Sequence, residues 1–195
     1  MKTTDQIEKI KAVVLYILKQ IPEGVDYIHL FKIMYFAQQE HLVTYGMPLV
    51  EDTFVARKHG PVATLTYKAL HLAEGAQMVS TADLDNFVNA LCVSKDGRPQ
   101  LVTAVPDAVC DLDELSRSNM AVLDRWIRKC KDVKSFDLAD LSHDKAWLKA
   151  KRQSDKTGED TKIPLVDIAA AAGASKEMLS VIRNRQLNQQ ALQWT

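Results

Sequence analysis

The chain has 195 residues, 47% of them hydrophobic, and its 25 acidic and 25 basic residues cancel to no net charge. That length sets one domain with a tail or two small ones, and the apolar content excludes intrinsic disorder. The charge balance speaks against a protein that grips nucleic-acid backbones through a basic excess.

In chain order, Ile7, Ile10, Val14, Ile17 and Ile21 recur at three- and four-residue steps and mark one face of a first helix, which Pro22 and Gly24 end. Asp26 is placed to cap a second helix. Its stretch Leu30-Phe31-Lys32-Ile33-Met34-Tyr35-Phe36-Ala37 is apolar around nearly the whole circumference and belongs in the middle of a core. The helix stops at Tyr45-Gly46. Past Pro48, Thr53-Phe54-Val55-Ala56-Arg57 reads as a strand that runs into His59-Gly60-Pro61. Proline is tolerated in the first turn of a helix, so Gly60-Pro61 is expected to start the third helix, carrying Val62, Leu65, Ala69 and Leu72.

Ser80 to Asp83 looks like a further helix start. Leu91-Cys92-Val93 and Leu101-Val102-Thr103 flank Lys95-Asp96-Gly97-Arg98, and Asp-Gly between apolar runs signals a hairpin turn. Together with the Phe54 strand this predicts about three short strands in one small antiparallel sheet. Pro106 to Asp113 reads as a linker. Ser116 is expected to cap a helix with Met120, Leu123, Trp126 and Ile127 on one face, and Ser142 the next, with Trp147. The polar stretch 154–162 is expected to be a linker, dividing a domain over 1–153 from a helical hairpin over 163–195 packed on it. The fold class predicted is α+β, mainly α-helical, with a small antiparallel sheet and a C-terminal helix pair.

Several of these pieces together resemble the Panacea domain, the SocA-like antitoxin domain of bacteria and phages. That family's pattern is Lys-apolar-apolar-Tyr-Phe-Ala, then Tyr-Gly-x-Pro, then a phenylalanine strand ending in Gly-Pro-Val. Here the matching residues are Lys32, Tyr35-Phe36-Ala37, Tyr45-Gly46, Pro48, Phe54, Ala56 and Gly60-Pro61-Val62. Leu115-Ser116 and Leu141-Ser142-His143 with Ala146-Trp147 fit its later helices, so the resemblance covers roughly residues 7–151. His59 stands where an aromatic such as Tyr is common. Asn119 stands where Glu is frequent, which is expected to remove a capping box. The resemblance implies a non-enzymatic protein-binding module. Its cognate toxin would be encoded next door and held inactive by direct contact, or handed to a Clp-type protease as by an adaptor.

Other chemistry finds little in the sequence. There is no GxSxG, P-loop or GxGxxG motif, and His29, His41, His59, His71 and His143 form no ligand pair such as HExxH. No catalytic residue, cofactor or metal is therefore assigned. The acidic clusters Asp83 with Asp85, and Asp111 with Asp113 and Glu114, lie at expected helix starts, where the helix dipole accounts for them. Cys92, Cys110 and Cys130 are odd in number without a CxxC pair, which excludes a zinc ribbon or complete disulfide framework and suits a reducing cytoplasm. The opening MKTTDQIEKIK lacks the pattern of a signal peptide, and no apolar run reaches a membrane span. A cytoplasmic location with no membrane contact is the expectation.

Partner contacts are expected where motif residues fall in turns and at helix starts: Tyr45, Gly46 and Pro48, the basic loop Arg57-Lys58-His59, and His143 with Trp147. The loop would present exposed helix amides and positive charge to an acidic group. The alternative is a DNA-binding transcriptional regulator using residues 165–190 as a helix-turn-helix-like unit. Gly173 would sit in the turn, with Lys176, Ser180, Arg183 and Arg185 on the exposed second helix. Against this stands a plain helical hairpin packed on the domain. Trp194 is expected to dock the tail or engage a neighbour.

Overall fold

A computed structural model describes residues 3–94 and 99–192. The predicted turn Lys95 to Arg98 and Trp194 lie outside the described residues. Nine α-helices are found among the described residues: α1 Thr4–Gln20, α2 Tyr27–Tyr45, α3 Thr64–Ala73, α4 Ala82–Asn89, α5 Arg117–Cys130, α6 Ser135–Leu141, α7 Lys145–Thr157, α8 Leu165–Ala171 and α9 Lys176–Leu192. The strands are β1 Val25–Asp26, β2 Phe54–Arg57, β3 Gly60–Ala63, β4 Leu91–Val93 and β5 Leu101–Ala104. The class is α+β and mainly helical, as expected.

Helix α2 is the axis of the molecule. Its all-round apolar surface is buried from Leu30 to Gln38 and packs against α5, β3, α6 and α8. Asp26 caps it by accepting from the His29 amide (2.9 Å), and Gly46, in left-handed geometry at φ 64°, ends it. Buried Gln38 then pins the turn that follows, accepting from the amides of Leu49 (2.8 Å) and Val50 (3.1 Å). Helix α1, whose apolar stripe is wholly buried, covers another side of this core.

Strand pairing differs from the sequence expectation. The Phe54 strand does not join the later hairpin. It pairs with β3 as a separate two-stranded unit, with Phe54 opposite Ala63 and Arg57 opposite Gly60. Its place in the three-stranded sheet is taken by β1, in the order β1-β5-β4. Gly60-Pro61 therefore lies in a strand, not at a helix start. Pro61 fits there because the strand borders only β2 and the missing N–H breaks no central ladder. Helix α3 begins later, at Thr64, and buried Asp52 caps it from outside by accepting from the amides of Leu65 (3.0 Å) and Thr66 (3.1 Å).

Three further local expectations change. Ser116 does cap α5, and Asn119 completes the capping box that its replacement of Glu was expected to remove: its Oδ1 accepts from the Ser116 amide at 3.0 Å. Ser142 closes α6, a helix not foreseen, and Asp144 is the residue that caps α7. The stretch expected to be a linker is helical through Thr157 and turns at Gly158. It then runs beside β2, with Ala56 N–H donating to Thr161 O (3.0 Å) and Ile163 N–H to Phe54 O (2.8 Å). Free backbone groups along β2 recruit this polar segment, which hydrophobic periodicity could not reveal. Ile163, Ile168, Ala169 and Ile182 belong to the same buried cluster as α1 and α2.

Candidate functional site

The residues of the Lys-Tyr, Gly-Pro-Val and Ser-His-x-x-Ala-Trp motifs converge where α2, the β2–β3 hairpin and the start of α7 meet. Lys32 is 1% exposed, and its Nζ donates to Pro61 O at 3.0 Å. Burial holds this amine down at about 7. Gly60 lies directly over it at φ 98°. A Cβ there would stand 2.3 Å from Ser142 Oγ and 2.7 Å from Lys32 Nζ, so both the backbone angle and the space require glycine.

Tyr35 donates to Asp144 Oδ2 (2.8 Å), and burial beside that carboxylate drives its hydroxyl far up. Gln39 donates to the same oxygen (2.7 Å), while Asp144 Oδ1 accepts from the Trp147 amide (2.9 Å). One carboxylate thus caps α7 and bolts it to α2. Trp147 in turn donates its indole N–H to Arg57 O at 3.0 Å, tying α7 to the hairpin. His143 stacks on the Trp147 ring, with centroids 3.8 Å apart. Its buried Nε2 has no partner among the described residues, and burial lowers its pKa.

The basic loop divides into an engaged arginine and two exposed residues. It is a hairpin tip, so the expected ring of exposed helix amides is not present there. Arg57 is engaged internally: its guanidinium pairs with Asp160 (2.6 Å) and lies 4.0 Å over the Tyr67 ring. Lys58 and His59 are exposed, and His59 meets the ring of Phe136 edge-on at 5.7 Å. Phe136 itself is 65% exposed. Under the tip, Tyr27, Ile28, Phe31, Lys32, Tyr67 and Lys151 help to line a cavity of about 450 Å³. A second, of about 470 Å³, shares the Tyr27 and Ile28 walls and reaches Ser135 and Phe136.

Tyr45, Gly46 and Pro48 lie elsewhere, beyond the far end of α2. Gly46 is fourteen residues from Lys32, about 20 Å at helical rise. Gly46 is buried under α9: a Cβ would come within 2.9 Å of Met178 Sδ and 3.2 Å of Val181 Cγ1. Tyr45 is partly exposed and packs on His41. On α9, Lys176, Ser180, Arg183 and Arg185 are all exposed.

Asp26 and His29, three residues apart, pair with each other and with a third residue that sequence spacing does not bring to them. Ser135, more than a hundred residues away, donates to Asp26 Oδ2 and lies 3.2 Å from His29 Nδ1. The arrangement is not a nucleophilic triad. A relay needs serine and carboxylate on opposite imidazole nitrogens, whereas here both lie at Nδ1 and Nε2 is bonded to Val133 O at 2.8 Å. Burial pushes the Asp26 carboxyl up, but the hydrogen bonds from His29 and Ser135 outweigh it and hold the group at about 2. The bond to Asp26 raises His29 against the effect of burial. The cluster is a clamp between α2 and α6. Among the described residues, no group of three His, Cys, Asp or Glu side chains is placed to hold a metal ion, and no helix is long and apolar enough to cross a membrane.

Neither a curated protein nor a solved structure matches the chain. A family model does: that of the SocA-like antitoxin, Panacea domain, over residues 30–148, which spans α2, the hairpin and the first turn of α7. With more than half its length matched, the chain belongs to the SocA-like antitoxin, Panacea-domain family.

Proposed function

We propose that the chain is a non-enzymatic protein-binding module that neutralises a cognate toxin, encoded beside it, by direct contact or by delivery to a Clp-type protease. The observation that carries this reading is the family match over 30–148. It is supported by the division of labour around the hairpin. Lys32, Tyr35, Gly60, Asp144 and Trp147 bond to one another's elements, while Lys58, His59 and Phe136 stand outside and are free to meet a partner. Aromatic side chains such as Phe136 are enriched at protein–protein interfaces. A cytoplasmic location accompanies this function.

The test is co-expression with each adjacent gene. A neighbour toxic alone, silent with this chain and co-eluting with it supports blockade. Rescue with loss of the neighbour's protein, reversed in a Clp-deficient host, supports delivery. Absence of any toxic or bound neighbour contradicts both.

A DNA-binding regulator is the second reading, favoured by one observation. Lys176, Ser180 and Arg183 recur at four- and three-residue steps and are exposed on α9, with Arg185 close by. A salt-sensitive mobility shift of the chain's own promoter, lost in the Lys176→Glu/Arg183→Glu variant, would support it.

A further inference from the structure

Helix α7 has an outer face that the fold does not use. On its inner side Ala146, Trp147 and Ala150 are buried, and Lys151 and Ser154 line the cavity beneath the hairpin tip. The outward positions are Lys145, Lys149, Arg152 and Lys156, all exposed and set four, three and four residues apart. That spacing makes them neighbours in one row along the helix, about 16 Å long at helical rise. Within the row Leu148 is 41% exposed.

The row carries charge of one sign. Lys149 pairs with Asp167 of α8 at 2.7 Å, and Lys151, on the inner side, with Asp155. Lys145, Arg152 and Lys156 have no carboxylate partner among the described residues. Helix α7 holds five basic residues and one acid, while the whole chain holds 25 of each, so the remainder of the chain has an acidic balance. Helix stability does not account for the row. Like charges three and four residues apart repel one another. Lys145 opens the helix, where the dipole disfavours a cation, and only Lys156 lies in the last turn, where it is favoured.

A row of unneutralised cations fits an anionic partner, and its make-up selects which kind. Nucleic acid is bound through many phosphate contacts, whereas this row offers four cations, one already paired with Asp167. A phosphate backbone also gives Leu148 nothing to pack on. An acidic protein segment supplies carboxylates for the cations and an apolar side chain for the leucine, and complementary charge of this kind steers encounter and fixes register.

We infer that the outer face of α7 docks an acidic segment of a partner protein, with Lys145, Arg152 and Lys156 meeting its carboxylates and Leu148 an apolar side chain among them. The face shares no residue with Lys58, His59 and Phe136, so its partner and a toxin held at the hairpin are free to be different proteins.

The probe is a short fluorescent peptide rich in glutamate with one central leucine. Its controls are the same peptide with serine in place of the leucine and a single-stranded thymidine oligonucleotide of equal charge. Fluorescence anisotropy with the full-length chain should show the leucine peptide binding about fivefold more tightly than the serine peptide, and more weakly as salt is added. Lys145→Gln/Arg152→Gln/Lys156→Gln should weaken both peptides about tenfold with no fall in melting temperature, because the change relieves repulsion. Leu148→Ser should erase the preference for the leucine peptide. No binding of the leucine peptide, equal binding of the two peptides to the wild-type chain, or undiminished binding by the triple variant overturns the proposal. Tighter binding of the oligonucleotide than of the leucine peptide also overturns it and marks the row as a phosphate site. The comparisons between ligands are made on the wild-type chain alone, so they decide the matter whether or not a variant folds or a toxin is found.

Discussion

At the residue scale, Lys32 and Gly60 show how a motif can be structural and chemical at once. Gly60→Ala should cost about 3 kcal/mol, from the left-handed backbone angle and the displacement of Ser142 and Lys32. Urea denaturation reads this directly. Lys32 gives a pH signature. Its folded pKa is lowered to about 7 from the usual 10.5, so between those values the unfolded chain binds more protons than the folded one. Unfolding free energy therefore rises with pH across that window and levels off above it. The difference between wild type and Lys32→Met, measured by urea melts from pH 6 to pH 11, should contain that rise. A difference flat with pH would mean that the amine is not desolvated as its burial requires.

At the element scale, periodicity and capping chemistry made most helices legible, because each lays a continuous apolar stripe on the core. Helices α1, α2, α5 and α9 fall close to where their patterns and caps place them. The pairing of short strands was not legible. Two-residue β1 has no pattern to read, and Gly-Pro serves a strand edge as well as a helix start. Helix α6 was missed because seven residues with exposed Phe136 and Leu141 show no clean stripe. Asn119 illustrates a substitution read too narrowly. Its amide donates to His41 Nε2 (2.9 Å) while its oxygen accepts from Lys9 (3.2 Å) and the Ser116 amide. A glutamate carboxylate cannot make the donation to His41, whose other nitrogen is committed to Met47 O. Asn119→Ala should cost about 2 kcal/mol, because buried His41 and half-buried Lys9 lose their bonds together with the Ser116 amide. A loss below about 0.5 kcal/mol in thermal or urea unfolding would show that water replaces them freely.

At the scale of the whole molecule, the motif residues other than Tyr45, Gly46 and Pro48 are the joinery of three elements, and the candidate contact surface is what they leave outside. Sequence could place Lys58 and His59 in a loop. It could not show that Arg57 is occupied by Asp160, or that Gly46 is covered by α9, since both depend on segments more than a hundred residues away. The C-terminal helices share the common core. Removing residues beyond Asp160 takes away buried Ile163, Ile168 and Ile182 and should lower the melting temperature by well over 5 °C. An unchanged melting temperature would mark 163–195 as an independent unit.

The measurement that bears most directly on the central claim is toxin rescue by a surface variant that leaves the junction intact. Lys58→Glu/Phe136→Ala changes two exposed side chains and none of the bonds among Lys32, Pro61, Asp144 and Trp147. Co-expressed with a toxin found by the screen of adjacent genes, the wild-type chain should restore growth. The double variant, with an unchanged melting temperature, should bind the toxin at least tenfold more weakly and fail to restore growth. Full rescue and undiminished binding by the folded variant would contradict the assignment of this face as the docking surface.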